Sequence, residues 1–148
     1  MAQTTEAFSM AAAALYWGTD GNVWTDISGY ANSVEDATQE RNTGVAYTFD
    51  GDTGIIKAGK RQPLNLRFNM VHAEENAGLE ALRAYFEAGS AVYFLWIPKG
   101  STASNYQYTS QAGYINSFPY PAGAAESGDP LAAQIGFITP YVTKSEVS

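Results

Sequence analysis

Two stretches of the chain alternate apolar and polar residues with a period of two, and this pattern constrains the fold more than any other feature. In GVAYTFD (44–50) and LNLRFNM (64–70), every second side chain is large and apolar. Because successive side chains of a strand point to opposite faces, the alternation predicts two strands that each bury one face. The segment between them, DGDTGIIKAGKR (50–61), contains three glycines. We therefore predict a long hairpin whose tip protrudes from the domain.

Only one stretch has the period of a helix. In GLEALRAYFEA, apolar residues recur three or four positions apart, which predicts an amphipathic helix over about residues 76–88. Gly89 stands where a helix C-cap is expected. Glu74 and Glu75 precede the apolar stripe, where the helix dipole favours acids.

The other apolar segments are predicted to be strands. They are an opening hairpin of 11–17 and 23–27, a central strand AVYFLWIP covered on both faces, one or two strands in YQYTSQAGYINSFPY, a closing strand LAAQIGFITPYVT and a loose tail KSEVS. The order of strands, one helix and strands predicts a mainly β domain spanning residues 1–148. We expect a β-sandwich or partial barrel with one flanking helix and a protruding hairpin.

The sequence contains no recognisable catalytic or metal-binding arrangement. His72 is the only histidine and there is no cysteine or G-x-S-x-G motif, so His72 is interpreted as the end of a strand. The stretch DGDTG (50–54) has the opening of a calcium loop without its downstream glutamate. We therefore predict a protein that is not an enzyme and that has no metal or cofactor.

Charge and composition restrict the partners. A formal charge of −7 repels nucleic-acid phosphate, and no apolar run is long enough to span a membrane. Half of the eight cations lie between Lys57 and Arg67, just after Asp50 and Asp52. This charge either keeps an exposed hairpin soluble or docks it on a neighbouring subunit. Charged residues are only 16% and aromatics 14%, which fits a surface covered by another chain or a small β-domain with aromatic strands.

Several segments of the sequence resemble phage tail proteins. The corner WTDISGY and the following SVE are similar to the early strands of phage tail structural proteins. The later run resembles the major tail tube protein of long-tailed phages in its helix GLEALRAYFEAGS, strand AVYFLWIPKGS, tyrosine-rich strand YQYTSQAGYINSF and closing IGFITPYVT. The similarity covers nearly the whole chain.

This resemblance implies a structural virion protein. Members of the family form six-membered rings whose inner strands join into one β-barrel, and the rings stack head to tail into a tube. The implied partners are other copies of the chain, a tape-measure protein, and double-stranded DNA that passes through the lumen without specific binding. The implied location is the phage tail, after assembly in the host cytoplasm. Related folds occur in contractile tails and type VI secretion tubes.

The tail-tube interpretation selects two sets of residues. The hairpin tip is expected to contact the next ring, with Ile55 and Ile56 buried on docking. The contact candidates are Asp50, Asp52, Ile55, Ile56, Lys57, Lys60 and Arg61. Acids near the N-terminal strands are candidates to line the lumen, because those strands would build the barrel; they are Asp26, Glu35, Asp36 and Glu40.

Two other functions remain open from the sequence. One is a carbohydrate-binding β-sandwich that uses Trp17, Trp24, Trp96 and tyrosines as sugar platforms, which requires several aromatic rings exposed in one groove. The other is a different virion part, such as a tail-tip, neck or decoration protein.

Overall fold

The computed structural model describes residues 3–4, 6–72, 76–126 and 128–147. Its elements are β1 Ala14–Gly18, β2 Trp24–Asp26, β3 Ala31–Glu35, β4 Arg41–Ala46, β5 Ile55–Arg61, β6 Leu64–Val71, α1 Ala77–Ala88, β7 Tyr93–Ile97, β8 Tyr106–Ser110, β9 Tyr114–Ser117, β10 Ala132–Thr139 and β11 Val142–Glu146.

Most of the strands form two antiparallel sheets that face each other. The five-stranded sheet has the order β11-β8-β7-β1-β2, and the four-stranded sheet has the order β3-β6-β10-β9. Strands β4 and β5 form a separate two-stranded sheet. The predicted mainly β, sandwich-like fold is therefore confirmed. Both large sheets are open, so the subunit by itself is not a closed barrel.

The core forms where the inward residues of the two sheets meet. Phe68 of the four-stranded sheet stacks on Phe94 of the five-stranded sheet, with ring centroids 4.5 Å apart. Phe137 contacts Phe94 edge to face at 4.7 Å. All three rings are buried. The alternation seen in LNLRFNM therefore has its expected cause, since β6 turns one face to this aromatic core and the other to solvent.

Helix α1 begins and ends at the residues that the sequence indicates. The Asn76 side chain accepts hydrogen bonds from the backbone N–H groups of Gly78 and Leu79, at 2.9 and 3.3 Å. Gly89 ends the helix in the left-handed region, with φ of 68°. The predicted helix is confirmed. The predicted acids of its N-terminus, Glu74 and Glu75, lie outside the described residues.

The Asp26–Tyr30 corner ties the first hairpin to this helix. Ile27 is buried, and the Ser28 hydroxyl contacts both the N–H and the C=O of Leu15 at 2.8 and 3.3 Å. The Tyr30 hydroxyl donates to Asn76 Oδ1 at 2.7 Å. Asn76 therefore serves two elements at once, because its carboxamide oxygen caps α1 and holds the corner.

We expect Asn76→Ala to lower the free energy of unfolding by about 1–2 kcal/mol, because it removes both the helix cap and the partner of Tyr30. Asn76→Asp is the matched control, since its carboxylate accepts the same bonds. Urea unfolding of both variants measures the difference. Equal stability of the alanine and aspartate variants would contradict the assigned role.

The strand pairing of the hairpin differs from the prediction. The sequence pattern pairs 44–50 with 64–70, but β4 pairs with β5, while β6 lies between β3 and β10 in the four-stranded sheet. Strand β4 begins at Arg41, earlier than the predicted strand 44–50, and it ends at Ala46. The turn between β4 and β5 therefore covers 47–54. The glycines in 50–61 suggested a loop. The second half of that segment is strand β5, because it forms cross-strand hydrogen bonds with β4.

The predicted loose tail is also wrong. Residues Val142–Glu146 form β11, which pairs with β8 from Val142 opposite Ser110 to Glu146 opposite Tyr106. This strand is the edge of its sheet, and four of its five residues are exposed. Edge strands tolerate such polar sequences, so a polar composition does not distinguish β11 from a tail.

Candidate assembly surface

The β4–β5 hairpin is the most exposed regular element of the fold. Every residue of both strands is exposed to solvent. At about 3.3 Å per residue, the seven residues of β5 extend the hairpin by roughly 20 Å. The hairpin therefore presents two open faces and two open edges.

The register divides the hairpin residues between two faces. Val45 lies opposite Ile56, and Ala46 lies opposite Ile55. Because paired residues share a face and neighbours alternate, Ile55 and Ile56 point in opposite directions. The prediction that docking buries both isoleucines therefore requires contacts on both faces of the hairpin.

The face that carries Ile56 is the more apolar. We call it the apolar hairpin face and define it as Thr43, Val45, Tyr47, Ile56 and Ala58. Gly54 brings Tyr47 onto this face, because a Cβ at Gly54 would lie 2.7 Å from Val45 and 3.1 Å from the Tyr47 ring. Exposed fractions are 55% for Val45, 78% for Tyr47 and 69% for Ile56. Adjacent apolar side chains with such high solvent exposure are typical of an interaction surface.

The base of the hairpin is fixed to the sandwich. The Gln39 amide donates to the carbonyls of Gln62 at 3.0 Å and Pro140 at 2.8 Å. The Arg61 guanidinium lies over the Tyr141 ring, 5.3 Å from its centroid. These contacts join the base of the hairpin to the β10–β11 turn.

The inter-ring contact candidates lie along the whole hairpin. Asp50 and Asp52 are in the turn, whereas Lys60 and Arg61 lie at the base, at the other end of β5. Lys57 shares the second face with Ile55. The acidic and basic groups are thus separated along the hairpin axis.

The lumen candidates divide between the two sheets. Glu35 ends β3 opposite Arg67, and Asp36 follows with an ion pair to Arg67 of 3.2 Å. Glu40 shares a shallow surface depression with Asp36. Asp26 ends β2 in the other sheet. The structure therefore brings Glu35, Asp36 and Glu40 to one end of the four-stranded sheet and leaves Asp26 apart from them.

The outward face of the four-stranded sheet is rich in amides, a feature that the sequence reasoning missed. Asn69 donates to the Ser33 hydroxyl at 2.8 Å and accepts from the Gln134 amide at 2.9 Å. Asn65 and Asn116 are exposed on the same sheet. The polar half of the alternation in LNLRFNM indicated this face. We call it the amide face.

Two groups in the N-terminal hairpin have shifted acidities. Backbone N–H groups of Asn22 and Val23 donate to Asp20 and lower the pKa of its carboxyl. Burial, with a smaller effect of the Asp26 carboxylate, raises the pKa of the Tyr30 hydroxyl. Both shifts have structural causes in a turn and a corner.

The tryptophans predicted for a sugar platform are mostly inside. Trp17 is 4% exposed and Trp96 is 7% exposed, and both belong to the core. Trp24 is half-buried. Among the described residues, no group of three His, Asp or Glu side chains is placed to hold a metal. No described helix is both long and apolar enough to cross a membrane.

No protein-family model and no curated protein sequence matches the chain. Several solved structures do match over nearly its whole length. A chain of the extended PVC sheath–tube complex, an extracellular contractile injection system, is 13% identical with a TM-score of 0.76, covering 99% of this chain and 100% of that one.

Two further matches come from tails. A chain from the tail of an empty gene transfer agent particle, refined with C6 symmetry, is 14% identical with a TM-score of 0.64, covering 99% of this chain and 100% of that one. The SPP1 tail tube is 15% identical with a TM-score of 0.61, covering 91% of this chain and 77% of that one. The predicted resemblance to tail tube proteins is thus confirmed at the level of structure, and the chain has the fold found in these tail and tube assemblies.

Proposed function

We propose that this chain is the repeating structural subunit of a tail tube, that six copies form a ring, and that the rings stack head to tail. The observation that carries the proposal is the β4–β5 hairpin, a fixed and fully exposed element with apolar side chains on both faces. The subunit itself leaves that surface in water, and a neighbouring copy would bury it. The C6 symmetry of the similar gene transfer agent tail supports a six-fold ring.

The four-stranded sheet supports the ring itself. Within the part of the chain that the structure describes, its two end strands, β3 and β9, have no further strand beside them in the sheet. Strands of adjacent copies that pair along these edges would join the sheets into one continuous wall. Such closure removes the open edges that otherwise promote aggregation.

The amide face suits the inner wall of the tube. Neutral amides and hydroxyls add no positive charge to attract phosphate, and the charge of Arg67 is balanced by Asp36 at 3.2 Å. We propose that this face lines the lumen together with Glu35, Asp36 and Glu40, and that double-stranded DNA passes it without specific binding. A tape-measure protein would occupy the same space during assembly in the host cytoplasm, before the tube becomes part of the virion.

Sedimentation tests the assembly directly. We expect the purified protein at raised concentration to contain species far larger than its 15.9 kDa subunit. A strictly monomeric profile across protein and salt concentrations would argue against a tube subunit.

Lysines placed on the amide face should make the tube retain DNA. We expect Asn65→Lys with Asn116→Lys to leave assembly intact and to produce DNA retention that weakens steeply with salt, since each ring would gain twelve lumen cations in a six-fold ring. The matched control is Thr143→Lys with Ser145→Lys on β11, outside the four-stranded sheet. Filter retention of short duplex DNA at several salt concentrations measures the effect. Equal retention by both lysine variants would place the amide face outside the lumen.

A further inference from the structure

A groove opens between the N-terminal segment and the free edge of the four-stranded sheet. Its volume is about 400 Å³, and its lining combines apolar side chains such as Met10, Val34 and Trp96 with the polar side chains of Ser28, Asn32 and Ser33. Trp96 is nearly buried and belongs to the floor, whereas Met10 and Ala11 are exposed at the rim. The groove exists because the segment MAAAAL (10–15) places small side chains where larger ones would fill the space.

The groove lies beside β3, one of the two end strands of the four-stranded sheet. None of the described residues that line it is charged. An uncharged groove of this size can accept the side chains of an extended segment from another chain.

We infer that this groove receives the apolar hairpin face of a second copy of the chain; the inference rests on the proposed tube function. The apolar hairpin face contains Val45, Tyr47 and Ile56, three large side chains that are exposed to solvent in the single subunit. The hairpin of the same copy is excluded as the occupant, since its strands remain exposed and its base is held by Gln39.

Charge supports a second copy as the occupant. The segment Arg41–Arg61 carries four cations and two acids, a formal charge of +2 within a chain total of −7, so the remainder carries −9. A basic hairpin on an acidic body is attracted to the body of another copy.

Cysteine pairs test the inference, because the chain contains no cysteine of its own. Ala58→Cys lies on the apolar hairpin face, and Asn32→Cys lies at the exposed rim of the groove. A disulfide requires Cα atoms about 4.4–6.8 Å apart, so it forms only if the two sites meet. The matched control is Lys57→Cys with Asn32→Cys, which moves the thiol one residue along β5 and onto the opposite face.

We expect oxidised assemblies of the Ala58→Cys, Asn32→Cys variant to give covalent ladders at least tenfold more abundant than the control. A second pair, Thr43→Cys with Ala11→Cys, probes the other strand of the hairpin and the other rim of the groove. If both pairs assemble without exceeding the control, the groove is not the acceptor, although the tube function stands. If the unaltered protein forms no assemblies, both the tube function and this inference are overturned.

Discussion

Replacing both Ile55 and Ile56 with serine should leave the subunit folded and prevent tube formation. Both side chains are exposed in the subunit, at 50% and 69%, so their loss costs the isolated fold little. If a neighbour buries them fully, each contributes roughly 1.5–3 kcal/mol. Because the two residues lie on opposite faces of the hairpin, the double variant would weaken the contact on each face by about one to two orders of magnitude in its association constant. Circular dichroism measures the fold, and electron microscopy measures the tubes.

The single variants and a charge variant sharpen this test. Ile56→Ser should impair assembly more than Ile55→Ser, because Ile56 shares its face with Val45 and Tyr47. Reversal of Lys57 and Lys60 to glutamate should do less than the serine pair, since exposed ion pairs contribute only about 0–1 kcal/mol. Normal tubes from the double serine variant would refute the docking role, and a collapsed fold would place the isoleucines in the core of the subunit.

Phe68→Ala should cause the largest loss of subunit stability. The ring is fully buried and contacts Phe94 at 4.5 Å, with Trp96 and Phe137 each at 6.5 Å between centroids. Removing a buried phenylalanine ring costs about 3–5 kcal/mol, because its contacts are lost and a cavity remains. Urea unfolding at fixed protein concentration measures the change.

Asn65→Ala is the matched control for that substitution, because it lies on the same strand and faces solvent. We expect it to change stability by no more than about 0.5 kcal/mol. A loss below about 1 kcal/mol for Phe68→Ala would mean that the two sheets do not share the aromatic core described above.

The sequence predicted elements whose burial pattern is complete within one segment. Strand β6 buries every second residue against one core, and α1 has a buried stripe with a cap at each end, so both appear in the local pattern. Strands β5 and β11 lack such a pattern. Their residues are mostly exposed, and cross-strand hydrogen bonding, which leaves no periodic signature in either segment, makes them strands.

For the candidate assembly surface, the sequence located the segments involved but not how they are arranged in space. Glycines and charges located the hairpin, but the register that separates Ile55 from Ile56 depends on which strand pairs with β5. The acids near the N-terminus were grouped by their closeness in sequence, whereas the chain crosses from one sheet to the other between Asp26 and Glu35. The groove beside β3 combines distant segments, so no single stretch of sequence indicates it.

Electron microscopy of the unaltered protein, concentrated in low salt, shows whether the subunits assemble into a tube. We expect tubes built from stacked six-fold rings, with the amide face on the channel side and a hairpin crossing from each subunit to a neighbouring ring. Dispersed single subunits at every concentration, or rings whose hairpins point freely into solvent, would contradict it.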